Sequence, residues 1–375
     1  MRLEEIRKNI DEIDAQLIEL IKRRLACSKQ VAEFKHDNNM QVFDAAREKA
    51  ILAALGEKAG DDRSAVELIW QTLMEQSRAR QYPFIDSRSV SDFAPAEAPE
   101  SVRRIACQGI AGAYSGIVGK RLYSNAEILF LPKWSDVCRA VKEGEVEYGI
   151  LPVENSCAGS VHEVYDLLMD GDLCIANSAD AHIHHDLIGI KGTRLDEIEE
   201  VVSHPQALKQ CAALISELGL SVTEMSNTAV AVKYVADRND RSVAAIGSAE
   251  AADDYSLEVL KSDIATSRNN TTRFVSVCRE PKRSAGADKI SIVFSTENVP
   301  GSLYRVLAPF ASTDMSLTKI ESRPIAGSDF DYLFYADLKG DVTDPVVAGV
   351  LATLKMQLPC FKLLGNYPEA EINIL

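Results

Sequence analysis

From Leu3 to Phe34 apolar side chains recur every three to four residues, at Leu3, Ile6, Ile10, Ile13, Leu17, Leu20, Ile21 and Val31, with no Gly or Pro among them. That period is helical. At about 1.5 Å per residue such a helix extends roughly 50 Å, more than a 90-residue globule is wide, so its apolar stripe calls for a second chain to cover it. Advancing about 100° per residue puts Arg24 and Lys35 on the same line as Ile6, Ile13, Leu17 and Leu20, about 16 Å apart, with Arg7 on the flank. A cation on a buried stripe must meet opposite charge or incur a desolvation cost. Two readings stay open: snorkelling or pairing with Asp14 and Glu33, or a ligand site. A second helix is predicted from an Asp44 N-cap through Arg47–Leu52 to about Lys58, near Gly56 and Gly60. A third is predicted from a Ser64/Glu67 capping box, and its stripe of Trp70, Leu73, Ser77 and Gln81 turns polar at the far end. That is the wall a small polar anion needs.

Tyr82-Pro83 ends the third helix, and Ser87 to Arg103, rich in Ser, Pro, Ala and Glu without period, reads as a loosely coupling linker. Strands and helices then alternate. A strand Arg104–Cys107 leads into the glycine-containing turn Gln108–Ser115 and a helix; a strand Tyr148–Val153 delivers Glu154, Asn155 and Ser156 before a helix Val161–Leu168. The second half repeats this: Glu200–Val202 ahead of Ser203, His204 and Gln206, Val222–Met225 ahead of Asn227, and Val243–Ile246 ahead of Ser248. Hydroxyls and amides at successive strand ends predict two α/β lobes around a cleft. The glycine spacing is not G-x-G-x-x-G, which argues against a dinucleotide site. His182, His184 and His185 split between two strand faces at period two, without a second ligand cluster, and read as strand residues rather than a metal site.

Residues 268 to 274, Arg268-Asn269-Asn270-Thr271-Thr272-Arg273-Phe274, run into the apolar alternation Phe274–Cys278. Taken alone they are either a solvated turn or a cluster able to hold an anion and to offer a hydroxyl proton. After residue 281 the pattern is strand, helix, strand, strand, helix, strand, which is the ferredoxin-like order.

The 375 residues suggest two to four domains, and 46% apolar with 26% charged residues is a soluble globular composition. A net charge of -15 argues against nucleic acid and anionic membrane as partners, and residues 1 to 90, with 15 basic against 16 acidic residues, are close to neutral. No apolar run approaches the roughly 20 residues of a membrane span, and the start lacks a signal-peptide core, so a cytoplasmic location is expected. Eight cysteines without a C-x-x-C pair predict reduced thiols rather than disulfides or zinc.

These motifs carry resemblances. Residues 1–90 resemble the all-helical chorismate mutase family, an intertwined dimer; the matching positions are Arg7, taken from the second chain, with Arg24, Lys35, Asp44, Glu48, Ser77 and Gln81, and Arg47 beside them. The resemblance implies a Claisen rearrangement of chorismate to prephenate, with arginines clamping two carboxylates while Lys35 and Gln81 bond the ether oxygen as charge builds on it. Residues 104–280 resemble prephenate dehydratase through four segments in order: Gly109–Ser115, Pro152–Ser156, Ser203–Gln206 and Asn270–Phe274. This implies a two-lobed, periplasmic-binding-protein-like fold, Thr272 as the essential hydroxyl, Arg273 as a carboxylate anchor, and Asn155, Ser156, Ser203, His204, Gln206, Gln210, Asn270 and Phe274 as cleft contacts.

Residues 288–368 resemble an ACT regulatory domain, with Gly301, Ser302 and Leu303 at a helix start and Glu321, Ser322, Arg323 and Pro324 at a strand end matching phenylalanine-binding segments. Ser302 stands where that family often has alanine. The implied whole is a bifunctional chorismate mutase and prephenate dehydratase, a homodimer or higher oligomer inhibited by phenylalanine, needing no metal or organic cofactor. Three rivals stay open: a dehydratase whose helices only dimerise, a sensor that binds without chemistry, and a terminal module that serves only dimerisation.

Overall fold

The computed structural model describes residues 2–84, 93–266, 270–325 and 331–372, the last three of these by backbone alone. Arg268, Asn269 and residues 85–92 of the expected linker lie outside the described residues. The chain divides into two compact units, Met1–Asp92 with Lys289–Leu363, and Phe93–Asp288 with Leu364–Leu375.

The first unit opens with α1 (Leu3–Asp37), α2 (Ala45–Ala59) and α3 (Arg63–Ala79). Of the 35 residues of α1 only Ser28 and Ala32 are buried, while Ile13, Leu17 and Leu20 remain about half exposed. The stripe read from the sequence is therefore uncovered within one chain. Asp44 caps α2 as expected, accepting the Arg47 N–H at 2.9 Å. The capping box at α3 is a correction. A 3-10 turn at Gly60–Asp62 leads into the helix two residues earlier, with Asp62 at the N-cap position, so Ser64 lies inside it, and Glu67 is held by Arg63 Nε at 2.8 Å.

The second unit begins with β1 (Ala94–Pro95), then β2 (Arg104–Gln108), α4 (Tyr114–Leu122), β3 (Glu127–Leu131), α5 (Trp134–Lys142), β4 (Tyr148–Asn155), β5 (Gly159–Ser160), α6 (His162–Asp170) and β6 (Cys174–His182). It continues with β7 (Asp186–Gly189), β8 (Glu200–Ser203), α7 (Pro205–Gln210), α8 (Ala212–Leu218), β9 (Ser221–Glu224), α9 (Thr228–Arg238), β10 (Val243–Gly247), α10 (Ala249–Asp254), β11 (Glu258–Lys261), β12 (Thr271–Cys278) and β13 (Lys282–Arg283). In the first unit again follow β14 (Lys289–Ser295), α11 (Ser302–Ser312), β15 (Leu317–Pro324), β16 (Tyr332–Lys339) and α12 (Pro345–Gln357); β17 (Cys360–Tyr367) and β18 (Glu369–Ile372) end the chain.

Two sheets make the two lobes of the second unit. One runs β18-β6-β12-β4-β2-β3 with β5 beside β4, the other β11-β7-β10-β8-β9. The chain leaves the first sheet after His182 and returns to it at Thr271, so both crossings flank the same gap. Gly112, at φ +82°, lets the β2–α4 turn approach α10, where an added Cβ would lie 2.7 Å from that of Ala251.

The last stretch of the expected linker is not loose. Ala94 and Pro95 pair in parallel with Lys282 and Arg283, and Glu97 accepts from the Tyr148 hydroxyl and from Lys282 Nζ, both at 2.7 Å. In the first unit the strand order β17-β14-β16-β15 and the βαββαβ succession realise the ferredoxin-like pattern. Among the described residues no helix is long and apolar enough to cross a membrane.

Candidate active sites

Strand alternation puts Thr272 and Phe274 on the cleft face of β12 and Arg273 on the opposite face. The cleft, about 230 Å³, is lined by Asn155, His204, Gln206, Gln210, Asn270, Thr272 and Phe274 among the expected residues, and also by Tyr114, Trp134 and His185. Its polar wall is one directed chain of hydrogen bonds. Asn155 Oδ1 accepts the backbone N–H groups of Cys157 at 3.0 Å and Ala158 at 2.9 Å, which fixes the amide so that Nδ2 donates. Nδ2 donates to Thr272 Oγ1 at 2.9 Å and to Asn270 Oδ1 at 2.8 Å. Asn270 Nδ2 in turn donates to Gln210 Oε1 at 3.2 Å, and that oxygen lies 2.7 Å from His185 Nε2. Because Gln210 Oε1 can only accept, His185 carries its proton on Nε2, and its buried Nδ1 has no partner among the described residues. Burial holds the His185 ring below the usual imidazole range, against the opposing pull of Gln210 and Asp186. The Thr272 oxygen already accepts from Asn155, so its own O–H is left to donate into the cleft.

Three expected contacts are corrected. Arg273 does not face the cleft: it holds Asp180 through two bonds of 2.7 and 2.8 Å and pairs with Glu369 at 2.9 Å, so its charge is spent on tying β12 to β6 and β18. Ser203 is fully buried and donates to the Ile246 carbonyl at 2.7 Å. Ser156 is exposed and accepts from the Thr271 N–H at 3.0 Å. His185 was missed because period two was carried across 182–186, whereas β6 ends at His182 and the chain is crossing between lobes at that point.

In the helical segment a polar seam joins α1 to α3. Arg24 Nη1 donates to the Leu73 carbonyl at 3.1 Å, the Ser28 and Ser77 hydroxyls lie 2.7 Å apart, and Gln81 Nε2 donates to the Ser77 carbonyl at 3.1 Å while its buried Oε1 has no partner among the described residues. Lys35 donates to the Val42 carbonyl; burial lowers its ammonium pKa, with Asp44 and Glu48 pulling the other way. Neither Arg24 nor Lys35 points into open water. Arg7 is exposed, roughly 25 Å from Arg24 along the axis, and among the described residues it joins no other site residue. Arg47 is also exposed. Sequence reasoning missed Arg78, which is buried, pairs with Glu48 and stands 5.7 Å over the Phe43 ring. It follows Ser77 directly, about 100° around the helix from the stripe by which the wall was recognised.

Of the two segments expected to contact an effector, Ser302 opens α11 behind the left-handed Gly301, whereas Glu321, Ser322, Arg323 and Pro324 lie on β15 at the end of the sheet order. Among the described residues no cluster of acidic, His or Cys side chains could hold a metal ion.

Residues 105–282 match the family model for prephenate dehydratase and residues 6–82 that for chorismate mutase type II. An arogenate dehydratase of Petunia hybrida is 37% identical over 298 residues, 75% of this chain and 70% of that relative. Among solved structures, one described as a quorum-quenching acylase has a TM-score of 0.66 and 31% identity, covering 72% of this chain and 98% of its own. A prephenate dehydratase of Arthrobacter aurescens in complex with L-Phe has a TM-score of 0.65 and 29% identity, covering 71% and 90%. The chain thus belongs to the prephenate dehydratase family and carries a type II chorismate mutase ahead of the dehydratase, an isomerase and a lyase of phenylalanine biosynthesis in one polypeptide.

Proposed function

We propose that Thr272 is the hydroxyl that serves the departing C4 hydroxyl of prephenate. Loss of CO2 from C1 sends its electron pair into the ring, the C4–O bond breaks, and the leaving oxygen takes one proton to depart as water; phenylpyruvate remains. Thr272 donates toward that oxygen while Asn155 Nδ2 stabilises the charge left on Thr272, and Gln206 and Gln210 orient the carboxylates. The observation that carries this reading is the one-way hydrogen-bond chain ending in a free Thr272 proton.

At the helical site Arg24 and Lys35 hold the chorismate carboxylates and ether oxygen, with Gln81 as the second donor. In this pericyclic step one C–O bond breaks as one C–C bond forms, and no proton moves. The uncovered stripe of α1 supports pairing with a second copy, which would bring Arg7 of the other α1 to the site. The βαββαβ module is read as an ACT domain that binds phenylalanine and inhibits, a reading supported by its topology and by the L-Phe bound to the Arthrobacter relative.

Feeding chorismate to the pure protein tests both reactions. Prephenate and phenylpyruvate should appear in turn, and Thr272→Val should stop the second step while prephenate still binds. Normal phenylpyruvate formation in that variant would remove Thr272 from the mechanism. Arogenate is the alternative substrate favoured by the name of the Petunia relative, and phenylalanine formation from arogenate in the same assay decides it.

A further inference from the structure

His185 lines the cleft of the second unit, only 3% exposed, where the chain crosses from one lobe to the other. Its Nε2 is committed to Gln210 Oε1 at 2.7 Å, and its Nδ1 has no partner among the described residues. A buried ring nitrogen without a partner is a cost unless something entering the cleft meets it. His204, the other imidazole of the lining, differs: its Nδ1 accepts the Gln206 N–H at 3.3 Å and is spent on opening α7.

The charge to be met is that of prephenate, a dicarboxylate. Among the described residues the lining holds no Arg and no Lys. The starts of α4 and α9 open on the cleft at Ala113–Ser115 and at Asn227 and Thr228. Each helix start is worth about half a positive charge, so together they offset about one negative charge. The second carboxylate is left in a site where an unmatched charge is costly. The reaction has a matching deficit. Prephenate dianion yields phenylpyruvate monoanion, CO2 and hydroxide, so a proton must be added for the hydroxide to leave as water. Thr272 can hand over its own proton, but it then ends the step one proton short.

We propose that His185 takes up this proton on Nδ1 as the dianion binds, so that the substrate enters with its counter-charge and with the proton its dehydration consumes. The inference rests on the reading of this cleft as the dehydratase site and adds to it the source of the proton. Charge then balances: an imidazolium and a dianion become a neutral imidazole, a monoanion, CO2 and water. Burial holds the free ring neutral, with His184 acting in the same sense and Asp186 opposing it. The other titratable groups near the crossing are Tyr114 of α4 and Cys211 after α7, both pushed up by burial and so uncharged, and His204 in the same lining. Glu250 of α10, whose charge reaches Tyr114, and Asp263, whose N–H donates to Asp186 at 2.8 Å, complete the set. A bound dianion adds a pull that raises the ring.

The test uses the full-length protein. Prephenate is bound to Thr272→Val, which should not turn it over, in phosphate and in Tris buffer, and the difference in heat reads the protons taken up. At about pH 7.5 at least about half a proton per site should be taken up, and none once His185→Gln is added. Glutamine keeps a donor for Gln210 and lacks the free nitrogen. In turnover, kcat/KM of wild type should fall about tenfold per unit between about pH 7 and 9, while His185→Gln should be at least about tenfold slower at neutral pH with that slope gone. A merely structural role for His185 would lower the rate and leave the slope. No uptake in Thr272→Val, or equal uptake with His185→Gln added, overturns the proposal, while phenylpyruvate formation by wild type leaves the reading of the cleft standing. Should Thr272→Val not bind prephenate, equal pH slopes in wild type and His185→Gln overturn it, and His185→Asn serves in both measurements where His185→Gln does not fold. If wild type forms no phenylpyruvate, the reading of the cleft falls and this inference with it.

Discussion

Asn155 decides what Thr272 can do, because a hydroxyl that already accepts a hydrogen bond has its proton to give elsewhere. Two backbone N–H groups fix the Asn155 oxygen, so its amide nitrogen has to donate. Asn155→Asp keeps the acceptor for those groups and loses the donor, turning Thr272 back toward the carboxylate. The dehydratase kcat should fall by about 10²-fold or more with KM little changed, and a kcat within twofold of wild type would show that the amide has no such hold. This arrangement was half legible. The order of short motifs picked out Thr272, Asn155 and Asn270, since each sits at a strand end that local spacing reveals, while Gln210 closes α7 one turn beyond its motif. Arg273 was misjudged because sequence shows that a residue is a cation but not which face of a strand it takes, and three carboxylates on β4, β6 and β18 hold it away from the cleft.

At the scale of elements, α3 carries a cost that depends on pH. Glu75 is buried beside Arg78, which lowers its pKa, and Glu48, which raises it, and desolvation outweighs both. It lines a cavity that Arg305 and Glu297 border from the α11 side. A carboxyl raised from 4.5 to about 7 in the folded state is protonated in native protein between those values and ionised in the unfolded chain. Relative stability is therefore fully present below 4.5 and is lost as pH rises through 7. Glu75→Gln removes the ionisation, so melting at pH 8 should rise by about 2–4 °C, whereas at pH 5 the variant and wild type should melt together. An equal rise at both pH values would mean that packing, not charge, limits α3. The long helix and its stripe were legible because period alone defines them, and so was the Asp44 cap. The start of α3 was not, since Arg63 competes for Glu67 and a 3-10 turn takes the place of the capping box.

For the whole molecule, the sequence suggested three modules in series, yet the described chain forms two units, one of them built from both the helical segment and the βαββαβ module. No local pattern could announce this, because the joint is a fit between residues 271 positions apart: the Tyr82 hydroxyl meets Thr353 Oγ1 at 3.0 Å, in a buried bond. Gly349 on α12 makes room for the ring, and a Cβ added there would lie 2.2 Å from Tyr82 Cδ1. Two effects oppose each other in Gly349→Ala. Helix propensity favours alanine by about 1 kcal/mol, while forcing a methyl into a filled site costs about 1–3 kcal/mol. The contact is to rigid ring atoms on a buried side chain, so the clash should win and the melting temperature fall. Thr353→Val, which removes the Tyr82 hydrogen bond and the one that Thr353 donates to the Gly349 carbonyl at 2.9 Å, should cost about 1–3 kcal/mol. Dehydratase turnover should persist in both variants, because the Thr272 cleft is built wholly from the other unit. Should Gly349→Ala melt at or above the wild-type temperature, Tyr82 is not wedged against α12, and the helical segment and the terminal module are held together somewhere else.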